Sequence, residues 1–296
     1  MIYSKPPLTI NDQADLLISR GFIADKEKLL EYLRYNNYYR LTGYLYPFRR
    51  PDERYSSSIN LEKILTICEY DQKLRNHLLS AIDKIEVSFR SVIAYHFSMA
   101  NGPFAYTDKS ALPELEDYRR IQLIENIHKE TERSREEFIR HFMNKYGDIH
   151  KEPPLWMAVE IMTFGSIVSL YRGVSNSLKQ TIAKDFGVPD QVLSSWIVGI
   201  NSIRNICAHH SRLYNRRLGY SFKLPRERKH PEWFSPVRIS NSNVFTALTI
   251  CNYLLSVIGA GSSWSSEIKD LFDKYESVPE IKNTFPRNWQ QSKLWT

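Results

Sequence analysis

The segment Arg204-Asn205-Ile206-Cys207-Ala208-His209-His210 holds the residue types that cleavage of RNA without a metal requires. Such cleavage uses the neighbouring 2′-hydroxyl as nucleophile. It needs a proton acceptor, a proton donor and a cation for the charged phosphorane. Histidine titrates near neutrality and can move protons. Arginine stays protonated and can fork onto phosphate oxygens. Asn205 could orient either the imidazole or the phosphate. An arginine with a histidine four to six residues on is a weak pattern by itself, because Arg90 with His96 and Arg135 with His141 also fit it. Arg204 stands apart by context: Asn205 follows it, His210 follows His209, and a basic segment begins there.

The spacing predicts a helix from Gln191 through about Leu213. Residues four apart share a helix face, so Asn205 and His209 are neighbours, with Arg212 and Arg216 extending the stripe. Arg204 and His209 lie about 140° apart around the axis, and His210 about 100° from His209. One imidazole is therefore expected in the cleft. A symmetric dimer would supply the second proton-transfer group. The plainer alternative is a satisfied polar cluster at a helix seam.

Charge points to the same place. From Arg204 to His230 there are eight Lys and Arg and one acid, Glu227, which equals the whole net charge of +7. The window also holds Tyr214, Tyr220, Phe222 and three histidines. Basic residues among aromatics suit phosphate contacts with base stacking, which makes His210, Arg212, Asn215, Arg216, Arg217 and Lys223 candidate RNA contacts. A solvated basic loop after a helix would look similar.

The elements that must position these residues read as helices. Ala14–Ser19 and a stretch from Asp25 open the chain, and the aromatic run from Tyr35 to Pro51 is expected to be irregular but packed. A long helix from Asn60 to about Phe97 carries Ile64, Ile67, Leu74, Leu78, Ile82, Ile85, Phe89 and Ile93 at helical spacing. Glu86 and Arg90 on it make an i, i+4 ion pair, or else Glu86 buttresses Arg204 across the core. His96 and His141 read as structural or surface histidines, and Trp156, Met157, Met162 and Phe164 as core. Further helices are expected at Glu116–Lys129, Arg133–Tyr146, Leu155–Phe164, Gly165–Tyr171, Leu178–Phe186 and Glu267–Tyr275. The uncharged stretch Ser240–Ser266 reads as a buried helix rather than a membrane span. No strand-period run or repeat is evident, so the fold class is all-α.

Other functions lose support. Cys68, Cys207 and Cys251 are odd in number and widely spaced, against a disulfide framework and for a reducing cytoplasm. No secretory signal is visible at the start. No H-x-x-x-H pair with nearby carboxylates suggests a metal, and no G-x-x-x-x-G-K-[ST] or G-x-G-x-x-G suggests a nucleotide, so no cofactor is expected.

The segment RNICAHHSRLYNR resembles one shared by the Abi-like proteins of bacterial abortive infection, of the AbiD and AbiF type. Blocks in the same order agree: KPPLT…QADLLISRGF (Lys5 to Phe22), NNYYRLTGYLYPF (Asn36 to Phe48), EYDQKLRNHLLSAIDKIEVSFRS (Glu69 to Ser91), PPLWMAVEIMTFGSIVSLY (Pro153 to Tyr171) and FPRNWQQSKLW (Phe285 to Trp295). That family is similar to HEPN ribonucleases. The resemblance implies a HEPN-like helical core over 56–230, a helical N-terminal segment over 1–55 and a helical C-terminal extension over 231–296. It further implies metal-independent RNA cleavage at a composite site in a homodimer, in phage defence or a toxin–antitoxin system, with an antitoxin RNA as a candidate partner. Carried over, Arg204, Asn205 and His209 occupy the catalytic motif, with Arg212 and Asn215 as family-like positions. A non-cleaving RNA-binding module would use the same basic segment. A purely structural helical partner would not need it.

Overall fold

The computed structural model describes residues 2, 4, 6–261, 263–279, 285, 286 and 288–296; Lys5, Ser262 and Arg287 from the segments above lie outside them. The chain begins with α1 (Ile10–Ser19), opened by a capping box in which Thr9 and Asp12 satisfy each other's backbone N–H. α2 (Lys26–Tyr35), capped by Asp25, packs against it. The aromatic run expected to be irregular contains a helix, α3 (Tyr38–Leu45), followed by a 3-10 turn at Tyr46–Phe48. Asn37 starts α3 by accepting the Tyr39 N–H at 2.8 Å. Leu41, Tyr44 and Leu45 then bury one side.

α4 (Leu61–Asn101) is 41 residues long and is the axis of the molecule. Asn60 caps it through the Lys63 N–H, and Gly102 ends it at φ 92°, a conformation that favours glycine. Its predicted stripe is buried as expected, but Asp71 and Arg75 sit within it and are also buried. α5 (Asp117–Arg133) and α6 (Glu137–Tyr146) follow. The helix expected over Leu155–Phe164 is broken: α7 (Leu155–Ile161) stops before Met162, and α8 (Phe164–Gly173) restarts after it. The Thr163 hydroxyl is the cause, because it caps α8 by accepting the Ser166 N–H. Trp156 is half exposed rather than core, whereas Met162 and Phe164 are buried.

α9 (Asn176–Asp185) leads to α10 (Asp190–Ala208), which lies along α4. α11 (Val244–Val257) is buried through nearly every face and packs on both α4 and α10, and α12 (Trp264–Lys274) closes on α4. No helix among the described residues is long and apolar enough to cross a membrane. The chain's end is tied to α11: the Asn252 amide donates to the Leu294 carbonyl at 2.6 Å, and the Trp295 indole donates to Thr249 Oγ1 at 3.0 Å. One apolar cluster runs from Ala14 to Trp295 and draws on every helix but α6, whose buried Ile139 and Phe142 lie outside it. With twelve α-helices among the described residues and only isolated bridges, the fold is all-α.

Candidate active site

α10 ends at Ala208, five residues before the expected Leu213. It closes in a Schellman turn. The His210 N–H donates to the Cys207 carbonyl and the Ser211 N–H to the Ile206 carbonyl, both at 3.0 Å, with His210 at φ 54°. Histidine tolerates this left-handed position better than most residues. His209 is thus the C-cap residue, its own N–H on the Asn205 carbonyl at 3.0 Å.

The early stop corrects the predicted stripe. Arg212 and Arg216 do not continue the Asn205–His209 face, because the chain turns towards α3 and α4. Arg212 Nη1 donates to the Gly43 carbonyl, Arg40 Nη1 reaches the His210 carbonyl at 2.9 Å, and Arg216 Nη1 donates to the Arg212 carbonyl at 3.3 Å. Asp71 fixes the turn. Its Oδ1 accepts the backbone N–H groups of Leu213 at 3.0 Å and Tyr214 at 2.6 Å. Its Oδ2 accepts the Tyr44 hydroxyl at 2.6 Å and the Arg75 guanidinium. Asp71 and Arg75 are 0% and 4% exposed, so every lone pair on this carboxylate matters. Burial, and then the negative charge of Asp71, raises the Tyr44 hydroxyl pKa.

Arg204 is placed through a relay that starts on α7. Arg90 on α4 donates to the Val159 carbonyl and pairs with Glu86. Glu86 Oε2 lies 4.0 Å from Arg204 Nε. Arg204 Nη1 in turn reaches Asn205 Oδ1 at 3.5 Å. Glu86 is thus the i, i+4 partner of Arg90, and its other oxygen lies at the outer limit of an ion pair with Arg204. Glu86 and Arg90 side chains are 13% and 11% exposed, while Arg204 keeps 41%, enough to meet a ligand.

The structure therefore brings Arg204, Asn205, Glu86 and Arg90 together. Among the described residues no hydrogen bond or ion pair joins His209 to Arg204. Arg204 bends to α4, and His209 faces solvent about 140° further round α10. Among the described residues none hydrogen-bonds the His209 imidazole. Of the remaining candidates, Asn215 (φ 49°) and the side chains of His210, Arg216, Arg217 and Lys223 are exposed. Lys223 is anchored by its backbone, whose N–H donates to Ser195 Oγ and whose carbonyl accepts from Trp196 Nε1, both at 2.8 Å. Arg216 and Arg217 edge a groove of about 360 Å³ between the 216–222 segment and α10. Phe222 seats there against Gly199, where any Cβ would lie 2.2 Å from the ring.

Sequence reasoning missed Asp71, Arg75 and Arg40. Asp71 and Arg75 did leave a signal, an i, i+4 carboxylate and guanidinium in the middle of an apolar stripe. Cys207 lies beneath the motif but is buried, which pushes its thiol up to about 12 and leaves it inert as a nucleophile. His96 pairs with Asp185 at 2.7 Å on the far part of α4, as a structural histidine would. No group of three or more His, Cys, Asp or Glu among the described residues could hold a metal ion.

A family model described as "Abi-like protein" matches residues 31–215, from α2 to the turn held by Asp71. No curated protein and no solved structure matches the chain.

Proposed function

Because the chain belongs to the Abi-like protein family, we propose that it is a metal-independent endoribonuclease of abortive-infection defence. The segment 56–230 is its HEPN-like core, with 1–55 and 231–296 as helical additions. The working unit is a homodimer in which two Arg204–His209 segments face each other. His209 of one protomer takes the proton from the 2′-hydroxyl. The 2′-oxygen attacks phosphorus, and the bond to the 5′-oxygen breaks as the partner's His209 delivers a proton to it. The products are a 2′,3′-cyclic phosphate and a 5′-hydroxyl. Arg204, steadied by Glu86, neutralises the phosphorane oxygens, and Asn205 orients the phosphate. His210, Asn215, Arg216, Arg217 and Lys223 line the RNA path. The setting is cytoplasmic, and an RNA antitoxin is a natural restraint for such an enzyme.

One observation carries this reading. Arg204 leans on Glu86 and Asn205 yet stays 41% exposed, and the exposed His209 imidazole at the helix end has no hydrogen bond to it among the described residues. A two-fold axis would join them and supply both an acceptor and a donor.

The test is to incubate the purified chain with a defined single-stranded RNA in excess EDTA, beside His209→Ala. Wild type should cut to cyclic or 3′-phosphate ends, RNA with a 2′-deoxy cut site should resist, and the variant should be inactive at an unchanged melting temperature. Exchanging excess His209→Ala protomers into wild-type dimers should suppress activity beyond dilution. Equal cleavage by the variant, or 5′-phosphate products, would overturn the mechanism. Binding without cleavage would favour the non-cleaving RNA module.

A further inference from the structure

Beside the start of the basic segment, α1, α2, α3 and the turn before α4 border a cleft of about 1490 Å³ that Arg212 also lines. Three tyrosines on its wall are unusually bare: Tyr35, Tyr39 and Tyr46 are 82%, 73% and 67% exposed. A globular chain shields most such rings, since each is a large apolar surface. Here the backbone presents them. α2 ends at Tyr35, Asn36-Asn37 break the helix, and the Asn37 cap sets Tyr39 in the first turn of α3. Tyr46 follows seven residues on, about 10 Å further along at helical rise. Tyr39 meets Tyr38 edge to face at 5.5 Å between ring centroids yet stays largely exposed, and spaced, exposed rings suit separate, unpaired bases.

The charges on the wall favour an anion. Arg20, Arg34, Arg49 and Arg212 line the cleft, against Glu53 as the one acid among its lining residues. That carboxylate is held between Arg20, at 3.1 Å, and Arg49. The two guanidiniums outnumber it, so the trio stays net positive. The cleft borders the turn that follows the motif. Arg40 on α3 holds the His210 carbonyl, and Arg212, on the cleft wall, is held by the Gly43 carbonyl.

We propose that this N-terminal cleft binds single-stranded RNA, with bases stacked on Tyr35, Tyr39 and Tyr46 and phosphates on Arg34 and its neighbouring guanidiniums, and that it delivers the strand to His209. The inference rests on the endoribonuclease reading only for its choice of RNA over another single-stranded polyanion.

The test uses the full chain with His209→Ala, so that RNA survives, and fluorescence anisotropy of a 5′-labelled twelve-nucleotide oligouridine. Tyr39→Ala and Tyr46→Ala should each weaken binding by about five-fold or more, the stacking of one base. Tyr39→Phe and Tyr46→Phe should retain it, and melting temperatures should hold because the rings are exposed. Affinity should also fall steeply with salt. Oligouridine affinity indifferent to both alanine variants would overturn the proposal. So would tyrosine-dependent binding of a ten-residue polyproline peptide with none of oligouridine, which would make the cleft a peptide groove. Tyrosine-dependent RNA binding by a wild-type chain that never cleaves would uphold the cleft and sink the nuclease. Cleavage that ignores the tyrosines would do the reverse.

Discussion

Replacing Asp71 by asparagine should damage the molecule more than any surface change near the motif. The carboxylate is fully buried and accepts from four donors: the Tyr44 hydroxyl, the Arg75 guanidinium and the N–H groups of Leu213 and Tyr214. Asparagine keeps one acceptor oxygen and brings two new donors. Arg75, 4% exposed, loses its counter-charge. Breaking a buried pair from one side costs about 3–5 kcal/mol. At least one backbone N–H is also stranded, at about 1–3 kcal/mol. Because the two losses share a site, they do not simply add, and we expect a drop of about 4–6 kcal/mol. That is a large share of the roughly 5–15 kcal/mol typical of a folded domain. Urea unfolding followed by circular dichroism measures the loss. Hydrogen exchange at the Leu213 and Tyr214 amides locates it. The companion variant Asp71→Leu with Arg75→Leu removes the charges together but strands both amides and the Tyr44 hydroxyl, so it should also be destabilised and leave those two amides fast. A drop under about 1 kcal/mol for Asp71→Asn, with both amides still protected, would refute the account of how the turn is held.

Glu86→Gln should slow cleavage about ten- to a hundred-fold at saturating RNA, since Arg204 loses the partner that places it; an unchanged rate would detach Glu86 from the site. Gly199→Ala should cost about 1–3 kcal/mol in urea unfolding, because its Cβ would sit 2.2 Å from the buried Phe222 ring. Gly43→Ala, in open space within a helix, should be neutral or slightly stabilising in the same assay. Burial raises the thiols of Cys68 to about 11 and Cys207 to about 12 from an ordinary value near 9. The unfolded chain therefore releases these protons first as pH rises. Their stabilisation is complete below pH 9 and is lost from there through 11 to 12, so unfolding free energy should decline over that window. A flat profile up to pH 11 would contradict it.

Much of this was legible in the residues. The apolar stripe of α4 gave its length and buried face, and the uncharged run around α11 gave a core helix, because periodic burial is a local pattern. Tertiary demands hid the rest. α10 was expected to run to Leu213 because nothing there is a glycine or proline, but His210 can take the left-handed turn and Asp71, 142 residues away from Leu213, rewards it. α3 was obscured by its aromatic surface, whose exposed tyrosines face a cleft that no local spacing reveals. Trp156 sits at core spacing on α7 yet faces outward, since a seven-residue helix spans barely two turns and can bury only part of its circumference. The basic window was visible, but Arg34 to Arg54, with five arginines against Asp52 and Glu53, is masked in the net charge by the acids of the rest of the chain.

Both ends of the motif are referred to a single rigid element. α4 holds Arg204 through Glu86 and the turn after His209 through Asp71, fifteen residues apart on one helix. The distance between these two anchors, about 22 Å, is set by helical rise alone. α4 therefore works as a ruler whose graduations are residues. Inserting one residue between Asp71 and Glu86 would lengthen it by only about 1.5 Å but would rotate one anchor by about 100° against the other. Arginine and histidine would then be set from different sides of the helix. Length variation in this chain is thus tolerable in the connections around α4 and costly inside it, whatever the inserted residue is.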